Sequence, residues 1–483
     1  MTTPISEKPV PPPATTLPPK VSGIRTVLRY TGIPPSWLDK RPKLPSRNWL
    51  IFLSVTSSVV GMYIYDRREC KRIRQSYIEK VQDLSEERLD TLAWPRRVTV
   101  YGGKWPGDED YDQSMKYFRK YVKPILVAAA VDYDMIAGKK HGDIANRVAN
   151  DIRLRRRLDL GIDEDPPATQ ILPTYKAIPE RRKLELEGGI VIIGRPTFKE
   201  FMAGLKRGWT EGLEKIDQDE VLAKQLEDDT VFDEPEEFDL DQGSSQASTG
   251  SKFPSGKPAF SPIQLQRSLP LRPPPGSNSI PEHLNAPPAV IPPLPPMLLV
   301  SFTNLIGLKQ IPLMIWDFFN QRLKVQSGSD AGYRLVMKAT RPIEVPSVTE
   351  EPVFGDTATS SEESSLGDLE FDKEAEGYYK NSLKSIPQDI EKAREKYYEA
   401  LPAKIAIARA LSRGTREPTK EEYKNPPPTE VELRAERMKK EKRWRSDLQG
   451  WETIKPEAKV AWDERFRDAM RIFVDPPHDG TQN

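Results

Sequence analysis

The sequence has very little of the residues that build metal and disulfide sites. Its 483 residues include one cysteine, Cys70, and three histidines, His141, His283 and His478. One cysteine excludes an internal disulfide framework, and three scattered histidines cannot complete a zinc or iron site of the Cys/His type. We therefore expect no disulfide, no metal ion and no cofactor in this chain.

An excess of charge of one sign is also lacking. The chain has 73 lysine and arginine residues against 72 aspartate and glutamate residues, so it has no general basic surface that would indicate nucleic-acid binding. Long apolar runs are scarce too: the stretch from Trp49 to Tyr65 has 17 residues without a charge or a proline. Elsewhere, 47 prolines and 30% charged residues indicate that much of the chain is not core.

The stretch from Trp49 to Tyr65 predicts one transmembrane helix. At about 1.5 Å per residue it reaches roughly 26 Å, near the lower limit for a hydrocarbon core of about 30 Å. Trp49 at one end, with Tyr63 and Tyr65 at the other, is typical of aromatic anchors at headgroup depth. A buried helix of a soluble core is the other interpretation, and the basic residues that crowd both ends argue against it.

Small side chains within this span predict packing against another helix. Ser54 and Ser58 form one small-xxx-small pair, and Ser57 and Gly61 form a second. Small residues at this spacing allow a neighbouring transmembrane helix to approach closely. The alternative is that these residues are simply tolerated in a span. Charge does not orient the span, because within about twenty residues five basic residues precede it and six follow it.

Composition and periodicity divide the chain into eight parts. These are a disordered proline-rich tail (1–46), a transmembrane helix (47–66), a helical stalk (67–93), an α/β domain (94–216), an acidic and then proline-rich linker (217–296), a strand-helix-strand block that packs on the α/β domain (297–341), an acidic serine-rich linker (342–372) and a helical C-terminal region (373–483).

Strand-like runs alternate with helical patterns between residues 97 and 210, which predicts an α/β domain with a parallel sheet. The clearest strand is Gly188 to Gly194, GGIVIIG, a continuous apolar run typical of a strand buried on both faces. A second candidate lies within residues 125–137. In the block after the proline-rich linker, Tyr333 to Ala339, YRLVMKA, is predicted as a further strand.

The layout of this domain resembles the nucleotide-binding half of lipid kinases of the diacylglycerol-kinase type, in which a strand delivers a Gly-Gly-Asp-Gly-Thr turn. The corresponding turn here reads Gly194, Arg195, Pro196, Thr197, Phe198. Close approach to phosphate needs the glycine that Arg195 replaces, and metal binding needs the carboxylate that Pro196 replaces. The sequence thus predicts a degenerate lipid-kinase-like layout without catalytic residues.

One stretch of the chain is strongly acidic. Residues 217–241 contain twelve aspartate and glutamate residues against a single lysine, Lys224. This segment is either solvated or an electrostatic docking site for a basic partner.

Helices are predicted over residues 389–398, 402–411, 430–448 and 457–473. In the last of these, Trp462, Phe466 and Met470 recur every four residues. An aromatic and apolar stripe at this spacing either packs on the protein's own body or forms a partner surface.

Three blocks show a resemblance to a known family: Tyr30 to Tyr77 around the span, Gly188 to Trp209, and Ala461 to Pro477. They resemble the fungal single-span subunit of the mitochondrial inner-membrane carrier translocase, a family conventionally named for fifty-four kilodaltons. The resemblance runs along nearly the whole chain, and the span with its flanks is its most specific part.

This resemblance implies a non-enzymatic scaffold, anchored by one span in the mitochondrial inner membrane with its large C-terminal region in the intermembrane space. Such subunits support the assembly and stability of the translocase that inserts multi-spanning carrier proteins. The implied partners are other inner-membrane subunits, including the channel subunit, and small intermembrane-space chaperone complexes. The alternative function is that of a divergent membrane-anchored lipid kinase, which only the sheet pattern suggests.

Overall fold

A computed structural model of the chain describes residues 46–89, 93–163, 175–214, 217–229, 231–233, 280–345, 367–420 and 422–476. The chain divides into two units, Met1–Tyr65 and Asp66–Asn483. Helix α1 (Arg47–Val81) contains the whole apolar stretch and continues into the second unit. The predicted proline-rich tail and much of the two predicted linkers lie outside the described residues.

The second unit is built on a six-stranded sheet. Its strands are β1 (Arg97–Gly102), β2 (Asp132–Ala137), β3 (Ile190–Ile193), β4 (Met297–Val300), β5 (Thr340–Pro342) and β6 (Arg471–Phe473). The order is β2-β1-β3-β4-β6-β5, and every neighbouring pair is parallel except β5 and β6. The predicted α/β class is confirmed, and the sheet predicted to be parallel is parallel except where β5 pairs with β6.

Strand β3 lies inside the sheet because its apolar residues pair on both sides. Val191 lies opposite Val100 of β1 and Leu298 of β4. The side chains of Val191, Ile192 and Ile193 are buried. A short continuous apolar run is what a parallel strand needs when helices cover both faces of its sheet.

Helices cover the two faces of this sheet. The helices that follow α1 in the described residues are α2 (Gln113–Tyr117), α3 (Lys123–Ala128), α4 (Asp143–Asp159), α5 (Ile178–Gly188), α6 (Arg195–Thr210), α7 (Gln218–Glu227), α8 (Glu282–Asn285), α9 (Ile311–Phe319), α10 (Gln321–Met337), α11 (Glu376–Lys384), α12 (Ile386–Ser412), α13 (Glu430–Ile454) and α14 (Phe466–Ala469). A turn of π-helix, Phe118–Val122, joins α2 to α3.

Side chains alternate across each strand and so feed two separate cores. Val100 and Ile193 belong to the core shared with α2, α3, α10 and α11. Tyr101 and Ile192 belong to the core on the other face, shared with α4 and α6. The sheet therefore lies between the two cores and contributes side chains to both.

The second half of α1 is part of the domain rather than a separate stalk. Cys70 and Val81 are buried in the first core, and Tyr77 packs against it. The periodicity of this segment predicted the helix, and its apolar face packs on the domain that follows it.

The strand predicted at Tyr333 to Ala339 is wrong, because these residues are helical as far as the end of α10. Two glycines bring α10 close to the segment around α3. A Cβ at Gly328 would lie 2.5 Å from Cβ of Tyr121, and a Cβ at Gly332 would lie 2.9 Å from Cβ of Ile125. This close helix packing overrides the strand-like local sequence.

The C-terminal helix predicted over residues 457–473 is also wrong. Only α14 is helical there, and β6 follows it. Ile472 of β6 pairs with Met297 of β4 on one side and with Arg341 of β5 on the other. Earlier in this region, the two helices predicted over 389–398 and 402–411 form one continuous helix, α12.

Gly450 lets α13 dock against the loop that precedes α4. A Cβ at Gly450 would lie 2.2 Å from the carbonyl oxygen of His141, so backbone atoms have to move to admit it. We expect Gly450→Ala to lower the free energy of unfolding of the full chain in detergent by about 1–3 kcal/mol, measured by chemical denaturation.

Gly377→Ala in α11 is the matched control, because nothing lies within 4 Å of the Cβ it adds. Only helix propensity then changes, so we expect Gly377→Ala to raise the free energy of unfolding by up to about 1 kcal/mol. Equal effects of the two substitutions would contradict the close approach at Gly450.

Candidate functional site

The apolar half of α1 is the first candidate site. Within the described part of the chain, one helical run, Arg47–Glu86, is long and apolar enough to cross a membrane. Tyr63 and Tyr65 follow Trp49 by roughly 21 and 24 Å along the helix axis. The aromatic rings therefore lie at two levels separated by nearly the thickness of a hydrocarbon core.

The four small residues of this helix form a single strip. At about 100° per residue, Ser54, Ser57, Ser58 and Gly61 lie within an arc of about 100°. The hydroxyl of Ser58 donates to the carbonyl oxygen of Ser54 at 2.9 Å, so it is satisfied inside its own helix. No atom lies within 4 Å of a Cβ built on Gly61. The side chains of this strip are small enough for another helix to pack closely against it.

The apolar stretch ends at Asp66. The Asp66 side chain is buried, and its carboxylate accepts from the backbone amide of Arg322 at 3.1 Å. Arg322 lies in the first turn of α10, where a negative charge is favoured by the helix dipole. The thiol of Cys70 donates to the same carboxylate at 3.8 Å. Burial, and then Asp66, raise the pKa of Cys70, so its thiolate is disfavoured.

The carboxyl edge of the sheet, where α/β proteins usually bind ligands, is filled by the chain itself. Between β1 and β3, the Thr197 hydroxyl accepts from the amide of Gly103 at 2.8 Å. The same hydroxyl donates to the carbonyl oxygen of Ile193 at 2.6 Å. The Ser114 hydroxyl donates to the carbonyl oxygen of Gly103 at 3.0 Å. The amide of Gly103, a donor of the kind that binds phosphate, is thus already bound by a side chain of the protein.

Arg195, at the start of α6, holds α11 against this edge. Its Nε donates to the Glu376 carboxylate at 2.8 Å, and Lys199 contacts the same oxygen at 2.7 Å. Arg195 and Lys199 are 5% and 1% exposed. Burial lowers the pKa of Lys199, and the bond to Glu376 opposes this shift. The cluster is a buried ion-pair network between α6 and α11.

The N-terminus of α4 holds a carboxyl group of the protein. Glu200 of α6 is fully buried and accepts from the amide of Ile144 at 3.2 Å. A helix N-terminus at the carboxyl edge is where α/β proteins commonly bind phosphate. Burial raises the pKa of Glu200 to about 7, although bonds from backbone amides oppose the shift.

The predicted stripe of Trp462, Phe466 and Met470 does not form a surface. Phe466 and Met470 are 0% and 1% exposed and lie in the second core. Trp462 is half-buried, with its ring 5.9 Å from that of Phe466. The structure corrects the partner-surface interpretation for Phe466 and Met470, because Phe466 in α14 and Met470 in the extended residue before β6 both pack in the second core.

The described part of the acidic segment docks on the chain's own basic helix. Lys442 of α13 contacts the Asp219 carboxylate at 2.6 Å. Arg445 donates to the side chain of Gln225 at 2.8 Å. Residues 234–241, the most acidic part of this segment, lie outside the described residues.

A cavity of about 890 Å³ lies at the amino ends of the strands, opposite the filled edge. Its charged side chains are of both signs, and some of them form ion pairs. Arg97 contacts Asp134 at 2.5 Å, and Arg155 contacts Glu185 at 3.8 Å.

The shifted pKa of Glu200 makes stability depend on pH. A carboxyl that titrates near 7 when folded and at its ordinary value of 4.5 when unfolded binds more protons in the folded state between those values. The free energy of unfolding then falls as pH rises from 4.5 to 7, by at most about 1.4 kcal/mol per pH unit. Glu200→Gln removes this pH-dependent contribution to the free energy of unfolding.

We therefore expect the stability of Glu200→Gln, relative to the unmodified chain, to increase between pH 5 and pH 8 by about 2–3 kcal/mol. The measurement is denaturant unfolding of both full chains in detergent at several pH values. Parallel pH profiles would contradict the assignment.

Comparison with known proteins places these features in a family. The family profile described as "Inner membrane protein import complex subunit Tim54" matches residues 25–473. The "Mitochondrial import inner membrane translocase subunit TIM54" of Cryptococcus neoformans serotype D is 38% identical over 467 residues, covering 95% of this chain and 96% of that protein.

Relatives with the same description cover less of the chain. That of Aspergillus oryzae is 39% identical over 177 residues, or 35% of this chain and 38% of that protein. That of Candida albicans is 31% identical over 249 residues, which cover 44% of this chain and 60% of that protein. The profile match and the Cryptococcus relative each extend over nearly the whole sequence. The chain therefore belongs to the Tim54 family of inner membrane protein import complex subunits.

Proposed function

We propose that this chain is a non-enzymatic scaffold subunit of the mitochondrial inner-membrane translocase that inserts multi-spanning carrier proteins. Family membership supports the translocase assignment. The observation that favours a scaffold is the filled carboxyl edge of the sheet. Thr197, Arg195 and Glu200 bind the chain's own groups at the positions where an α/β enzyme would bind a substrate.

In this proposal the stretch from Trp49 to Tyr65 anchors the chain as a single-pass protein of the mitochondrial inner membrane, and the region from Asp66 onward lies in the intermembrane space. The strip of Ser54, Ser57, Ser58 and Gly61 binds a helix of another membrane subunit, of which the channel subunit is the first candidate. The soluble domain receives the small chaperone complexes of that compartment. The family resemblance supports these partners and this orientation.

The degenerate lipid-kinase-like layout stays a prediction, and with it the alternative function of a membrane-anchored lipid kinase. The buried network of Arg195, Lys199 and Glu376 argues against a nucleotide at this edge. ATP-dependent phosphorylation of a lipid by the purified chain would overturn the scaffold proposal.

Helix packing is tested by enlarging the small residues. We expect Ser58→Leu combined with Gly61→Leu to leave membrane insertion intact and to weaken the assembled complex on a native gel, because leucine prevents close helix approach. Val59→Leu is the matched control, since residue 59 lies on the opposite side of the helix. An unchanged complex with the double variant would remove this strip from the interface.

Orientation is tested by protease access in isolated mitochondria. We expect the region after Asp66 to be protected while the outer membrane is intact and to be degraded once that membrane is opened. A matrix protein remains protected in the same sample and serves as the control. Protection of the C-terminal region after opening would place it in the matrix and contradict the proposed orientation.

A further inference from the structure

Helix α9 exposes nearly all of its apolar side chains. None of its nine residues is buried. Trp316, Ile315 and Phe318 are 64%, 55% and 49% exposed, and Leu308 just before the helix is 86% exposed. Apolar side chains gathered in this way mark a contact with a membrane or with another protein.

Two contacts between α1 and α10 determine where α9 lies along the axis of α1. Asp66 binds the amide of Arg322, and the Tyr77 ring lies 6.0 Å from the ring of Tyr333. Asp66 and Tyr77 are eleven residues apart on α1, and Arg322 and Tyr333 are eleven residues apart on α10. The two helices therefore run side by side in the same direction for roughly 16 Å, and α10 begins at the level of Asp66.

Helix α9 ends where α10 begins. Asn320 breaks the helical path with φ −125° and ψ 39°, and its side-chain amide donates to the carbonyl oxygen of Trp316 at 2.9 Å. On the α1 side, the guanidinium of Arg67 lies 5.6 Å from the centre of the Phe318 ring. Helix α9 is thus held beside Asp66 and Arg67, which directly follow the apolar stretch in sequence.

The chemistry of α9 fits the surface of a bilayer. Nine residues extend for roughly 14 Å, far too short to cross a hydrocarbon core. Trp316 and Phe318 are side chains that favour the membrane–water interface. Arg68, Lys71 and Arg72 are exposed on the neighbouring turns of α1 and can face anionic headgroups.

We propose that α9 is embedded in the lipid interface of the leaflet from which the span emerges, so that the soluble domain contacts the bilayer at two points. The inference rests on the proposed span from Trp49 to Tyr65. A single span can tilt and rotate in the bilayer. A second contact in the same leaflet fixes which face of the domain turns toward the lipid.

The test measures where Ile315 lies in the reconstituted full chain. Cys70→Ser removes the native thiol while keeping a hydrogen-bond donor for Asp66. Ile315→Cys is then labelled with an environment-sensitive fluorophore in vesicles of phosphatidylcholine and cardiolipin. This substitution is at an exposed position and disturbs no core. Two quenchers are compared: nitroxide-bearing lipid and aqueous iodide.

We expect nitroxide lipid to reduce the emission at position 315 at least about twofold and iodide to have little effect, as for a side chain buried several ångströms into the interface. Val55→Cys in the span is the positive control for lipid contact. Lys392→Cys, at an exposed position of α12, is the control for aqueous contact.

Quenching at position 315 by iodide alone would overturn the inference, because α9 would then lie in water. Shielding from both quenchers would also overturn it and would indicate that a second copy of the chain covers α9. If the label at position 55 escapes the lipid quencher, the span itself is not inserted, and this failure of the proposed anchor is distinguishable from a failure at α9 alone.

Discussion

The change of environment between Tyr65 and Asp66 is the constraint on which the rest of the molecule depends. A carboxylate in the hydrocarbon core costs about 2.5–3.5 kcal/mol or more, so it must find polar partners as soon as the apolar stretch ends. Asp66 finds them at the first turn of α10. That bond joins positions 256 residues apart, and it holds the start of α10 beside the residue that ends the apolar stretch.

At the carboxyl edge of the sheet, polar side chains bind backbone groups of the chain itself, as Thr197 and Ser114 bind Gly103. Even the N-terminus of α4 holds a carboxyl group of the chain, that of Glu200. The architecture therefore does not indicate the activity, and only the residues at the edge distinguish an enzyme from a structural protein.

Features encoded by neighbouring residues were predictable from the sequence. The apolar run of β3 and the uncharged stretch from Trp49 to Tyr65 each determine their own structure, because burial on both faces and solubility in lipid leave clear local patterns. Features that depend on distant partners were not. β6 forms because Ile472 meets Met297, and nothing near Ile472 indicates this pairing. Likewise, the sequence of α9 is apolar, and only the packing around it reveals its exposure.

The position of β6 in the sheet has a consequence for how the chain matures. Its three residues, Arg471–Phe473, come almost last in the sequence, yet they lie between β4 and β5. If the N-terminal end of the chain reaches its compartment first, β5 has no neighbour in the sheet until β6 has arrived. Contacts between such distant segments slow folding, so an incomplete sheet with an open edge persists during delivery and is the state that chaperones would have to protect.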